Sequence, residues 1–236
     1  MEVQASVQQG AQTAQEAAAL TIVAWDIETC PQPLESLTDA QRARYEMELD
    51  YKLGRTPDMD EADASRLVRS VHPFLGWICC IAAVSGTLDG GPNEPVSWTA
   101  ASMGDEAALL QAFWQAVDRF PKGTVWVTFN GKRFDVPYVE VRSAAHGITP
   151  TRHDLRNTYP YGHKPHTDLA WLWPQHYSLE GLCGLLDVPS PKSGVDGSDV
   201  ADLVADGRMD DVAAYCERDV VATFRCVLSI LCSTLH

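Results

Sequence analysis

The stretch from Thr21 to Thr29, TIVAWDIET, constrains the fold more than any other part of the chain. It is an apolar, strand-forming run that carries two acids, Asp26 and Glu28, two positions apart. In a β-strand residues i and i+2 point to the same side, so both carboxylates stand on one face. Like charges held that close raise each other's proton affinity unless a cation lies between them. Carboxylate oxygens are hard ligands that suit Mg²⁺ or Mn²⁺ rather than zinc, and none of the seven cysteines forms a CxxC pair that would argue for a thiolate site. An ordinary strand ending in solvated acids is the competing reading. What the rest of the chain brings to this face separates the two.

The chain has 236 residues, 45% of them hydrophobic, enough for a sizeable core in one domain. Its charge of 18 minus 32, or −14, argues against unselective binding to nucleic acid or anionic membrane, while leaving room for a local basic groove. Cys30, Cys79, Cys80, Cys183, Cys216, Cys226 and Cys232 are odd in number and sit mostly in apolar segments, which fits buried thiols in a reducing compartment and a cytoplasmic protein. No apolar run reaches about 18 residues, so no membrane span is expected. Residues 1–20 are rich in Ala and Gln, lack a basic start and an apolar signal core, and read as a disordered or loosely helical tail.

After the first strand, Pro31 and Pro33 stop regular structure, and the charged segment from Leu37 to Ser70 predicts two helical pieces broken around Gly54 to Pro57. Tyr45, Leu49, Leu53, Leu67, Val68 and Val71 are its apolar contacts, and it is either a solvated cover over the sheet edge or a lid beside the carboxylates. Trp77 to Gly86 is a near-continuous apolar run that predicts a strand buried on both faces. Asp89 to Pro92 supplies a turn and Val96 to Thr99 a third strand; with no long helix intervening, the first three strands form an antiparallel meander. Asp105 to Phe120 is an amphipathic helix, and the strand at Thr124 to Phe129 that follows it implies a parallel crossover. Asn130 and Gly131 make a tight turn into a helix over Phe134 to His146, so Asp135 projects from a helix start at a strand end, either as a helix cap or at a site of chemistry.

From Gly131 to His166 six Lys or Arg face three acids, with Tyr159 and Tyr161 interleaved. This is either a single-strand groove that pairs phosphate neutralisation with base stacking, or a solvated loop. Leu179, Leu182, Leu185 and Leu186 outline a further amphipathic helix, followed by the glycine-rich PKSGVDGSDV, whose Lys192 is either solvated or in reach of a phosphate. From Arg208 to Leu235 a stripe of Val212, Cys216, Val220, Phe224, Val227 and Leu231 predicts a long helix on the sheet. Tyr215 and Asp219, four residues apart, share the flank of that stripe. A carboxylate at the margin of a buried face calls for a partner.

WDIET, FNGKRFDVP and YCERD resemble, in order and context, the three exonuclease motifs of the DEDD nucleases in the ribonuclease H-like superfamily, and the tyrosine before the last acid marks the DEDDy branch. HTDL at His166 and the PKSGVDGSDV turn are similar to the stand-alone predicted exonucleases related to the proofreading domain of family B DNA polymerases. The resemblance runs from about Thr21 to Leu235, so that residues 21–236 form one exonuclease domain with the helical insertion at about 37–70. It implies an α/β fold with a ribonuclease H-like mixed sheet, antiparallel in its first three strands and then parallel, flanked by helices. It also implies a site of two Mg²⁺ or Mn²⁺ ions: Asp26, Glu28 and Asp219 hold the first, Asp26 bridges to the second, Asp135 supports the second directly or through water, and Tyr215 orients the attacking water. Asn130, Phe134 and Lys192 are candidate substrate contacts. The implied activity is 3′–5′ hydrolysis of single-stranded DNA ends to nucleoside 5′-monophosphates, with a polymerase or repair partner left open. An exoribonuclease of the same chemistry and a non-catalytic nucleic-acid-binding module on the same fold are the alternatives.

Overall fold

The computed structural model describes residues 20–159, 162–172, 177–192, 194 and 196–234. The expected N-terminal tail therefore lies outside the described residues, apart from Leu20. The opening run forms β1 (Ile22–Pro31), which lies inside a six-stranded sheet between β2 (Gly76–Thr87) and β5 (Val125–Thr128). β2 is antiparallel to β1 along its length, from Ile22 opposite Gly86 to Pro31 opposite Gly76. On the far edge of β2 sit the two-residue β3 (Gly91–Pro92), within the expected turn, and β4 (Val96–Thr99), both antiparallel to it. β5 runs parallel to β1, and the short β6 (His166–Asp168) parallel to β5. The expected order, an antiparallel meander followed by parallel strands, is the order observed.

β2 reads as a continuous apolar run because helices cover both faces of the sheet. Trp25 packs on Phe113 of α3, the helix that follows α1 (Asp39–Arg55) and α2 (Glu61–Val71) and spans Glu106–Val117. Asp26 instead meets Cys216 of the final helix. Adjacent strand residues point to opposite faces, so the two helices lie on opposite sides. α3 buries Leu109, Leu110, Phe113, Trp114 and Val117. The remaining helices are α4 (Asp135–Ala145), α5 (Leu179–Leu186), α6 (Val200–Ala205) and α7 (Met209–Thr234). Along α7 the stripe residues Val212, Cys216, Val220, Phe224 and Val227 are buried, and Leu231 packs at the margin. Among the described residues no helix is long and apolar enough to cross a membrane.

The charged insertion is the helix pair expected. α1 starts in a Thr38–Gln41 capping box, and α2 is capped by Asp60, whose carboxylate accepts the Ala62 N–H. α2 buries Ala64, Ser65 and Val68, and Val68 joins Leu37 and Leu75 in a small second core. Leu67 and Val71 are not core contacts, contrary to the sequence expectation. They are 37% and 48% exposed, because they lie on the outer flank of the α2 stripe that buries Ala64 and Val68. Leu185 departs similarly: at 80% exposed it falls off the stripe made by Leu179, Leu182, Cys183 and Leu186 in a helix too short to carry a second one.

Candidate active site

Three elements carry acids to one point. β1 presents Asp26 and Glu28, and its pairing with β2 shifts register between Glu28 and Thr29. Such irregularities bend a strand and re-aim the side chains beside them. The second element enters through the turn after β5. Asn130 adopts a left-handed backbone with φ 66°, and a Cβ at Gly131 would come within 2.5 Å of the Thr128 side chain, so the Asn-Gly pair is needed for the chain to reverse here.

The buried Asp168 carboxylate, at the end of β6, clasps that turn. It accepts the backbone N–H groups of Asn130 (2.7 Å), Lys132 (2.9 Å) and Ala170 (3.1 Å). The Lys132 ammonium donates to the carbonyls of Tyr159 and Gly162, both at 2.6 Å. So anchored, the loop starts α4 with Asp135 pointing into the protein, 2% exposed. Asp135 makes no cap: its Oδ1 accepts the N–H of Ile27 at 3.0 Å, the amide between Asp26 and Glu28 in the chain. A carboxylate from residue 135 thus docks on the strand that carries the first two.

α7 supplies the third contribution. The Cys216 thiol lies 3.8 Å from Asp26 Oδ2, and ligand atoms of Asp26, Glu28 and Cys216 all fall within 4.8 Å of one another. On the flank beside it, Asp219 is near enough for its charge to raise the proton affinity of both Asp26 and Glu28. Burial, then the charges of Asp135, Glu28 and Asp219, push Asp26 well above the carboxylate range; burial, then Asp219, does the same to Glu28. Burial lifts Asp135 to about 7. It lifts Asp219 to about 6, against the Tyr215 hydroxyl and the Arg218 and Lys192 charges, which draw it down. Tyr215 is raised by burial and by Asp219, so its hydroxyl stays protonated and serves as a donor.

Among the described residues none of these four acids forms an ion pair with Lys, Arg or His. Four converging carboxylates that lack a cationic partner are a donor set for hard divalent cations, and the chemistry fits Mg²⁺ or Mn²⁺.

The candidate substrate contacts are spread around this point. Asn130 is exposed on its turn, with its backbone N–H held by Asp168. Phe134 lines a cleft of about 670 Å³ that opens over Glu28 and Thr29. Lys192 is half-exposed and pairs with Asp196 (3.1 Å) and Glu180 (3.5 Å). In the basic segment before His166, four of the six cations have partners within the protein among the described residues. Lys132 clamps the turn, Arg142 pairs with the buried Glu106 at 2.5 Å, Arg152 pairs with Asp154 at 2.7 Å and lies over the Trp126 ring, and Arg156 pairs with Glu140. Most of the cations that made the segment look basic are consumed by internal acids and carbonyls; Tyr161 lies outside the described residues. Two contributors escaped the sequence reading as site residues: Asp168, visible only as part of HTDL, and Cys216, visible only as a stripe residue.

An α/β mixed sheet with this strand order, flanked by helices, defines the ribonuclease H-like class. Within that class, a family model described as a predicted 3′–5′ exonuclease related to the exonuclease domain of PolB matches residues 75–233, and the chain belongs to that family. The chain is 31% identical over 130 residues to the catalytic polypeptide of DNA polymerase epsilon from Schizosaccharomyces pombe, a match covering 51% of this chain and 6% of that protein. To its counterpart in Saccharomyces cerevisiae it is 33% identical over 109 residues, covering 44% of this chain and 5% of the other. It therefore spans only a small part of the length of these relatives. Among solved structures it is similar to the family B DNA polymerase of the archaeon Pyrobaculum calidifontis, with a TM-score of 0.56 at 19% identity over 92% of this chain and 24% of that one, a likeness of fold.

Proposed function

We propose that the chain is a divalent-metal-dependent exonuclease that removes nucleotides from the 3′ end of single-stranded DNA and releases nucleoside 5′-monophosphates. The observation that carries this reading is the Asp135 carboxylate seated on the Ile27 amide, which brings the mid-chain acid to the strand bearing Asp26 and Glu28. In the same reading residues 21–236 act as one exonuclease domain, and the setting is the cytoplasm, in keeping with the buried free thiols of Cys30, Cys79, Cys80, Cys183, Cys216 and Cys226.

Asp26, Glu28 and Asp219 would hold one ion, Asp26 would bridge to a second, and Asp135 would support that second ion. When bound, such a pair supplies activation of water and stabilisation of the departing 3′ oxygen in an in-line displacement. The chain's own contribution is preorganisation. The Ile27 hydrogen bond and the Asp168 clasp fix Asp135 before substrate arrives, so no reorganisation is required at the moment of reaction. Tyr215, protonated and one helical turn from Asp219, would turn its hydroxyl from Asp219 to the incoming water and orient it. DNA is the preferred substrate because the named relatives are DNA polymerases.

The test is incubation of the purified chain with 5′-labelled single-stranded DNA, and separately RNA, in Mn²⁺ or in chelator. A ladder shortening from the 3′ end of DNA, abolished by chelator, is the expected result. Retardation without cleavage would assign a binding module instead, and a ladder on RNA alone would reverse the sugar preference.

A further inference from the structure

Resting on the exonuclease reading, the cleft over Glu28 also indicates which residue holds the strand. One wall is α2, where Asp63, Arg66, Leu67, Ser70 and Val71 line the cleft on the flank that adjoins the buried Ala64, Ser65 and Val68. The facing wall is the turn at Gly197–Asp199 with the start of α6, including Asp202. Phe134 and Ile27 complete the lining beside Glu28.

Among the described residues that line this cleft, Arg66 is the one cation, and it stands among Glu28, Asp63, Asp199 and Asp202. Its guanidinium reaches from α2 to the far wall, 2.7 Å from Asp202 Oδ2, with Asp63 at 3.7 Å. The side chains of Arg66 and Asp202 are 35% and 69% exposed, so the pair sits at the solvent edge of the cleft. Arg69, one turn on, is committed elsewhere, donating to the carbonyls of Gln32 and Ser65.

We propose that Arg66 is the phosphate-positioning residue of this cleft. When a single strand enters, Arg66 exchanges Asp202 for a backbone phosphate, while Leu67, Val71 and Phe134 pack against the bases. Single-strand recognition combines a cation that tracks the backbone with an apolar surface for the bases, and α2 offers both on one face. The guanidinium fork suits a phosphate better than a lone carboxylate oxygen. An exposed ion pair is weak in water, so the exchange costs little. The insertion is then the lid beside the carboxylates rather than a solvated cover, and Asp202 is an internal competitor of the substrate.

The test follows a fluorescein-labelled single-stranded oligodeoxynucleotide by anisotropy against the full chain in Ca²⁺ at several salt concentrations, alongside steady-state hydrolysis in Mn²⁺. Arg66→Ala is expected to weaken binding about tenfold, the scale of one charge-assisted hydrogen bond. Its salt slope should fall by about 0.7, the value for one phosphate of a single strand. KM should rise with kcat unchanged, Arg66→Lys should recover most of the salt slope, and Asp202→Asn should bind more tightly than wild type. All three variants should melt at the wild-type temperature, which separates positioning from folding. Wild-type affinity and salt slope in Arg66→Ala would overturn the proposal while leaving the exonuclease reading intact. Weakened binding by Arg66→Ala with no hydrolysis by the wild type would do the reverse, and a wild-type chain that neither binds nor cleaves the strand defeats both.

Discussion

Two groups of carboxylates in this protein are treated in opposite ways. Glu106, fully buried at the start of α3, accepts the Ile78 N–H at 2.7 Å, the guanidinium of Arg142 through Nε and Nη2, and the His146 ring at 2.8 Å. Every lone pair it offers has a donor, and the cluster ties α3 and α4 to β2. Asp26, Glu28, Asp135 and Asp219 are gathered with no such cation, and all four are pushed toward protonation. A buried acid paired with a cation is a structural pin. Four gathered without one are a site prepared for something that arrives later.

Substitution should separate the two groups most sharply. Glu106→Ala leaves Arg142 buried and unpaired and should lower stability by about 3–5 kcal/mol in chemical denaturation, with the activity of the remaining folded protein near wild type. Asp26→Ala should do the opposite. Exonuclease activity should fall by on the order of a thousandfold or more, since several kcal/mol of transition-state stabilisation go with the metal. Its metal-free melting temperature at pH 7.5 should equal or exceed wild type, because a source of repulsion is gone. If the two variants behaved alike, the contrast would collapse.

Asp168 lies between these extremes, since it is buried and satisfied yet serves the site by holding the Asn130 turn. Asp168→Ala should reduce activity by about 10- to 100-fold, the usual scale for a residue that orients a metal ligand. An activity assay on folded protein that showed no loss would move Asp168 to the purely structural side.

The smallest effect is on pH dependence. Asp135 at about 7 and Asp219 at about 6 retain protons in the folded chain that the unfolded chain releases near pH 4. Between roughly pH 4 and 7 the folded state therefore binds more protons, and this cluster's contribution makes the metal-free protein less stable as pH rises. Thermal melts with and without Mn²⁺ should show a larger stabilisation by metal at pH 7.5 than at pH 5. An equal shift at both values would place the ion elsewhere.

Much of this was legible in the sequence because it rests on local periodicity. The DxE spacing puts Asp26 and Glu28 on one face, the Asn-Gly pair announces the turn before Asp135, and the α7 stripe places Tyr215 and Asp219 on its flank. What was not legible depends on partners distant in sequence. The basic run before His166 reads equally as a groove or a solvated loop, and only the fold shows Glu106, Asp154 and Glu140 absorbing Arg142, Arg152 and Arg156. Leu67 and Val71 read as core because their spacing is helical, and only the packing of Val68 on Leu37 and Leu75 shows that they face the cleft. Asp168 carries no local signal for its role, because its three donors come from a loop that reaches it only in the folded chain.

If acids from β1, α4 and α7 bind cations together, Mn²⁺ titrated into the wild-type chain and into Asp26→Ala, Asp135→Ala and Asp219→Ala, with free Mn²⁺ read by electron paramagnetic resonance, should be taken up by the wild type and more weakly or not at all by each variant. Three variants that bind Mn²⁺ with the affinity and stoichiometry of the wild type would place the ion away from these acids.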